Sequence, residues 1–372
     1  MGMFRFTCRT RSAATAALAA AALGGAGVVV AGPAQALSGA TSSQAAAAQS
    51  HAYRHGAVPL RAAVQKSLAL LPGSLNNLQY GGGAGSPSIG VTTGAPKVYL
   101  VFWGSQWGSS GTNSSGYTTL SGDAVGMAPR LQAFLKGLGT GNETWSGVMT
   151  QYCQGVSTGT QTCPSTAPHV GYPTGGALAG VWVDTSSAAP SSATGNQIGA
   201  EAVKASGHFG NTTAAANRNN QYVVVSPTGT HPDGFNTPTG QFCAWHDYTG
   251  DSSMSGGAVS SPYGQLAFTN LPYVTDAGSS CGQGFVNNPG TLDGVTIVEG
   301  HEYAETLTDQ NPAGGWTDLT GQENGDKCAW ISSGQGAAQN ITLTTGTFPV
   351  QSTWANDYNN GSGGCEVSHP VM

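Results

Sequence analysis

Charge is what this sequence has least of. Lys, Arg, Asp and Glu make up 8% of its 372 residues, where an average soluble domain carries about a quarter. Such a deficit excludes a coiled coil, a charged disordered tail and a polybasic nucleic-acid binder. There is no C-x-x-C pair, no P-loop and no dinucleotide fingerprint. Beyond the first 30 residues no run is apolar enough to span a bilayer. What is abundant is glycine, 57 residues, which predicts long loops rich in Gly and Ser. Eight Trp within a hydrophobic fraction of 39% supply a sizeable core, and the length suits one large domain.

The start of the chain predicts export. Arg5, Arg9 and Arg11 form a positive n-region, Ala13 to Val30 is apolar, and Ala34-Gln35-Ala36 is a small-residue cleavage site. Residues 1–36 therefore read as a signal peptide, which places the mature protein outside the cell with no membrane segment. Setting Cys8 aside leaves six cysteines, an even number that predicts three disulfides in an oxidising compartment. Pairing sequence neighbours gives Cys153–Cys163, Cys243–Cys281 and Cys328–Cys365.

Charge divides the exported chain. Residues 37–96 hold Arg54, Arg61 and Lys66 and no acid, a net of +3, whereas residues 97–372 hold six basic and 18 acidic residues (6 − 18 = −12). The basic part, 37–94, reads as a flexible leader, either a pro-segment that covers the site or a linker. An Ala/Ser/Gln run opens it. Leu60, Val64, Leu68 and Leu71 then lie at the spacing of one helix face, and Gly81-Gly82-Gly83 reads as a hinge. Residues 95–372 form a single body. Its expected elements are strands at Lys97–Trp103, Gly180–Asp184, Gln221–Ser226, Gln241–Tyr248 and Gln265–Asn270, with helices at Ala124–Leu138 and Asn196–Ser206. That order predicts an α/β (α+β) fold, a mixed sheet with packed helices.

The acids are concentrated. Eight of the 18 fall between Asp293 and Asp326, beside one basic residue, Lys327. Within this stretch a helix is predicted over Thr296–Asp309, ended by Asn311-Pro312. On it His301 and Glu305 stand one turn apart, with Cβ atoms roughly 5–6 Å from each other, so both can hold one ion. Glu302 points to the adjacent side, where it can take a proton from metal-bound water. This is the arrangement of the H-E-x-x-H helix of zinc peptidases, with Glu in place of the second His. A third ligand must come from elsewhere. Asp309, Asp318 and Glu323 are candidates, and Glu323 is preferred for its distance beyond Glu305. His246, in Cys243-Ala-Trp-His-Asp247, is a remote ligand or an oxyanion stabiliser. Oxygen-rich ligands also suit calcium, and Asp318, Glu323 and Asp326 with their glycines can form a structural calcium loop. Gly155-Val-Ser-Thr-Gly159 matches a nucleophile elbow by letter, but Ser157 lies in a short cysteine loop.

Val98-Tyr-Leu-Val-Phe-Trp-Gly104, Cys243-Ala-Trp-His246, Leu271-Pro-Tyr273, Asp293-Gly294, Thr308-Asp309 and Cys328 occur in an order that resembles the phosphate-induced/exordium-like secreted proteins. His301-Glu-Tyr-Ala-Glu305, Gly315-Trp-Thr-Asp318 and Glu323-Asn-Gly-Asp-Lys-Cys328 make the chain most similar to bacterial relatives of that family. The resemblance implies an exported protein, from about residue 95 onward. Two functions are expected. One is a secreted zinc-dependent peptidase acting on peptide or protein substrates, with Glu302 as base. The other is a non-catalytic extracellular protein that binds cell wall, glycan or a partner through Trp107, Trp316 and Trp354, with a structural metal. A glycosidase using paired carboxylates ranks behind both.

Overall fold

In a computed structural model, the described residues are 2, 54–64 and 73–372. Apart from Gly2, the expected signal peptide lies outside them, as do the Ala/Ser/Gln run, Leu68 and Leu71. Six strands form the main sheet: β1 (His55–Pro59), β2 (Lys97–Trp103), β3 (Leu178–Asp184), β4 (Asn220–Val225), β5 (Phe242–Tyr248) and β6 (Ala267–Leu271). Their order across the sheet is β1-β5-β6-β4-β2-β3. β3, β2, β4 and β6 run parallel, while β5 is antiparallel to both β6 and β1. The mixed α/β architecture is as expected.

β2 is buried at every position after Lys97, which explains its continuous apolar sequence: a central parallel strand is covered on both faces. Helix α1 (Met127–Gly137) connects β2 to β3, and α2 (Gly195–His208) connects β3 back to β4. The two crossovers run in opposite directions along the sheet, from β2 out to β3 and back past β2 to β4, and the usual right-handed connection places two such helices on opposite faces. α2 starts at a capping box in which Thr194 and Gln197 satisfy each other's free amides. Helix α3 (Asp293–Thr308) follows β6 and packs against α1, β5 and a hairpin of β7 (Gln339–Leu343) and β8 (Gly346–Val350).

The three disulfides are those expected, with Cα separations of 5.9, 5.6 and 5.7 Å. They point to an oxidising compartment. Among the described residues, no helix is long and apolar enough to cross a membrane.

Other expectations are corrected. Leu60 and Val64 do not lie on a helix; the chain there is a strand followed by a turn. The Gly81–Gly83 stretch is no free hinge, since the Gly81 and Gly83 amides donate to the carbonyls of Gly315 and Gly314 at 2.6 and 2.7 Å. Residues Gln79–Tyr80 pair with Trp316–Thr317, so the body begins before residue 95. Trp107, Trp316 and Trp354 are all buried; Trp107 and Trp316 give their indole N–H to the carbonyls of Val225 and Cys153. None of the three is a surface platform for sugars.

At the far edge of the sheet, Asp184 bonds Lys204, and Glu201 lies beside that pair. Burial and the Asp184 anion push the Glu201 carboxyl up to about 8. Between the ordinary glutamate range and pH 8 the folded state thus keeps a proton that the unfolded state loses, so stability falls as pH rises. Glu201→Gln should leave the urea midpoint unchanged near pH 4 and raise stability at pH 8 by about 1–2 kcal/mol, a figure discounted for the half-exposed Lys204. Equal effects at both pH values would contradict this account.

Candidate metal centre

Every residue of α3 is buried. Its apolar side, Val295, Ile297, Val298 and Leu307, joins the core, yet the same helix buries Glu299, Glu302 and Glu305 completely. A solvated acidic helix is thereby excluded. An isolated ionised carboxylate is too costly to bury, so such groups must be paired, protonated or bound to a cation. The ion pairs commit Lys327 to Asp318 at 2.7 Å and Arg54 to Asp233 at 2.7 Å. Beside Glu302 and Glu305 stand two imidazoles.

One is His301. Its Nε2 lies 2.9 Å from Glu305 Oε1 and 3.7 Å from Asp326 Oδ1, but without the alignment of a hydrogen bond. Its Nδ1 meets Gln351 Oε1 at 3.0 Å, and Gln351 Nε2 donates to the Gly325 carbonyl at 2.8 Å. Gln351 thus presents an oxygen to His301, making Nδ1 the donor and leaving Nε2 to face the acids. The second imidazole is His246. Side chains alternate along β5, so while Trp245 stacks edge-on against Phe268, His246 faces α3. Its Nδ1 is 3.3 Å from Glu302 Oε2 and 3.8 Å from Glu305 Oε2, and its Nε2 is 3.6 Å from Glu323 Oε2.

Two three-donor groups result, His246–Glu305–Glu323 and His301–Glu305–Asp326, and Glu305 belongs to both. Two ligand atoms on a tetrahedral zinc stand roughly 3.3 Å apart, given bonds of about 2.0–2.2 Å. The separations here bracket that value. His301 Nε2, Glu302 Oε1, Glu305 Oε2 and Glu323 Oε2 are buried without a hydrogen-bond partner, the state expected of donors prepared for a cation.

Electrostatics point the same way. Burial pushes Glu302 well above the ordinary range, with Glu305 and Glu299 adding to the shift, and Glu323 is raised in the same manner by burial and Asp309. Asp326 is pushed up to about 7 by burial and Glu305. His246 falls to about 4, because burial outweighs the attraction of Glu305. It is therefore a neutral imidazole at physiological pH, the form that binds metal. Burial also opposes the His301 cation, but Glu305 and Asp326 overrule it and raise the group to about 9. In the absence of a cation, then, the centre holds protons.

The sequence-predicted residues divide. His301, Glu302, Glu305, Glu323 and His246 come together. Asp309 does not offer its carboxylate to the same space: its two oxygens accept the amides of Ala313 and Gly315 and close the end of α3. Asp318 faces Lys327 and the amides of its own turn, so the calcium loop of Asp318, Glu323 and Asp326 is not assembled. Ser157 is exposed in its loop, with no strand or helix beside it. Sequence reasoning missed Asp326 as a partner of His301. The signal was Gly325: a Cβ there would lie 2.8 Å from Glu305 Oε1 and 2.9 Å from His301 Nδ1, so only glycine lets the loop seat on the helix. Gln351 had no local signal.

Asp309→Asn removes one of two amide acceptors and should lower stability by about 1–3 kcal/mol in urea melts, with bound divalent cation unchanged by elemental mass spectrometry. Loss of the cation would make Asp309 a ligand.

Compared with protein-family models, curated proteins and solved structures, the chain matches none.

Proposed function

We propose that this centre binds a divalent ion of the zinc class and that the protein is a secreted metal-dependent peptidase. The observation that carries the reading is the pair of donor groups His246–Glu305–Glu323 and His301–Glu305–Asp326, in which His301 Nε2, Glu305 Oε2 and Glu323 Oε2 are buried without a hydrogen-bond partner. Glu305 is the ligand common to both donor groups. His301 and Asp326 lie on one side of its carboxylate, His246 and Glu323 on the other. Nitrogen and carboxylate donors in this proportion suit zinc or manganese.

The ion would supply Lewis acidity for a carbonyl and for a bound water. The chain's own chemistry is then that of Glu302. Its carboxylate would accept a proton from water and pass it to a leaving amine. His246, neutral and 3.3 Å from Glu302, fixes that carboxylate. A peptide substrate is favoured over a sugar because the centre lies under a sheet edge that already carries an extended chain, β1 on β5, and because the aromatic residues that suggested sugar binding are buried.

A structural ion at the same donors is the second reading, favoured by the complete burial of Glu302 and Glu305. Variants separate the two. Glu305→Gln should lose the ion, read as metal per chain by elemental mass spectrometry. Glu302→Gln should keep it, while hydrolysis of a fluorogenic peptide library falls by about 10²–10⁴. Unchanged turnover by Glu302→Gln would reject the assigned base. A metal-loaded chain without hydrolysis in any form would leave the structural ion.

A further inference from the structure

Residues Arg54–Val64 lie on the body as an extended peptide lies in a binding cleft. β1 pairs antiparallel with the outer edge of β5, His55 opposite His246, Val58 opposite Ala244 and Pro59 opposite Phe242, with register shifts between them. The first shift contains Gly56, at φ 53°. A Cβ at Gly56 would fall on Glu305 Oε2 and the His246 ring, so this backbone passes directly against the metal centre, and only glycine can do so.

Side chains grip the segment on both sides of that glycine. Arg54 is buried; its Nε donates to Asp233 Oδ2 at 2.7 Å and its Nη2 to the Asp233 carbonyl at 2.6 Å. The guanidinium lies 4.7 Å above the Phe242 ring. Ser255 holds the other Asp233 oxygen at 2.6 Å. Further along, the Pro59 carbonyl accepts the Trp330 indole N–H at 2.7 Å, and Arg61 lies 4.6 Å above Phe285. A cavity of ≈490 Å³ continues beside Arg61 and Val64, lined by Phe285, Trp330 and Ser280.

We propose that the outer edge of β5 is a binding site for an extended peptide with arginine two residues before a glycine, and that Arg54–Val64 fills it in cis and closes the metal centre. The purpose of the site rests on the peptidase reading; its existence does not. Strand addition supplies affinity through main-chain hydrogen bonds, while side-chain pockets supply specificity. The Asp233 pocket is the specific element here. If Arg54 left, a carboxylate with 4% side-chain exposure would lose its cation, a costly state that an incoming arginine relieves. Arginine is preferred to lysine there because its planar fork reaches the carboxylate and the carbonyl together and lies flat over Phe242. The leader's net of +3 against the body's −12 favours its return.

The test measures binding without turnover. A fluorescein-labelled peptide of residues 54–64 is titrated by anisotropy into the full chain in EDTA. The wild-type chain, with its edge occupied, should bind weakly. Arg54→Ala should bind at least about tenfold tighter, corresponding to about 1.4 kcal/mol, and Arg54→Lys should fall between them. A labelled peptide with Ala in place of its first arginine should lose that gain, as should the double variant Arg54→Ala/Asp233→Asn. Hydrogen exchange on the wild-type chain gives a reading independent of any variant: β1 amides should exchange well before those of β6. Equal protection of β1 and β6, or no peptide uptake by a folded Arg54→Ala chain, would overturn the proposal. Peptide uptake by a chain that never hydrolyses would remove the peptidase reading and leave this site standing.

Discussion

The structure depends on neutralising negative charge inside its core. α3 buries three glutamates, the loop behind it brings in Glu323 and Asp326, and of the two imidazoles beside them only His301 is held in its charged form. Such a group can fold only with protons or a cation in place, because the desolvation of several unpaired carboxylates exceeds what apolar packing around them returns. The raised proton affinities of Glu302, Glu323 and Asp326 express this constraint directly. A divalent ion answers it better than protons do, since one ion contacts several carboxylates and leaves each in its charged form.

The remaining architecture holds that group in place. β5 is the antiparallel strand beside the parallel set, and its alternation points His246 at α3. The disulfide Cys243–Cys281 joins β5 to the segment that precedes α3, so the element carrying His246 and the element carrying His301 cannot drift apart. Cys328–Cys365 follows Asp326 by two residues and anchors the loop that brings Glu323 and Asp326 onto the helix. Gln351, at the end of the β7–β8 hairpin, ties that loop to His301 through both ends of one amide. Two cross-links and one amide therefore set the positions of the donors.

Much of this was legible in sequence, and the reason is physical. β2 and β4 are apolar runs because both their faces are covered, and α1 and α2 show an apolar stripe because only one of theirs is. His301, Glu302 and Glu305 were legible because helical geometry fixes neighbours three and four residues apart. Partners contributed by loops follow no such rule. Asp309 and Asp318 stood at attractive spacings, yet one closes a helix end and the other pairs with Lys327. Asp326 was separated from His301 by a turn whose path only Gly325 announced. Trp316 looked like a loop residue in a Gly-rich context, but it stacks near Tyr80 and Tyr152 in the core. The leader was hardest to read: Leu60 and Val64 belong to a strand end and a turn rather than a helix, since a strand needs a sheet edge, and no local pattern in residues 54–64 reveals one.

The proposed edge site would tie the leader to the candidate metal centre. An uncovered edge strand presents unpaired amides and carbonyls and invites association with other chains. Beside β5 the exposure would be worse, because Glu305 and His246 lie directly beneath it. β1 pairs the edge, Gly56 seals the centre and Arg54 neutralises Asp233, so a single segment removes three unfavourable exposures. The same economy has a chemical consequence. On the proposed reading, a substrate that reached Glu302 along β5 would have to replace all three interactions, and a covering segment that satisfies them would also exclude the substrate. On that reading stability of the closed form and access to the centre are opposed, and the residue that would set the balance between them is Arg54, 248 positions (302 − 54) before Glu302.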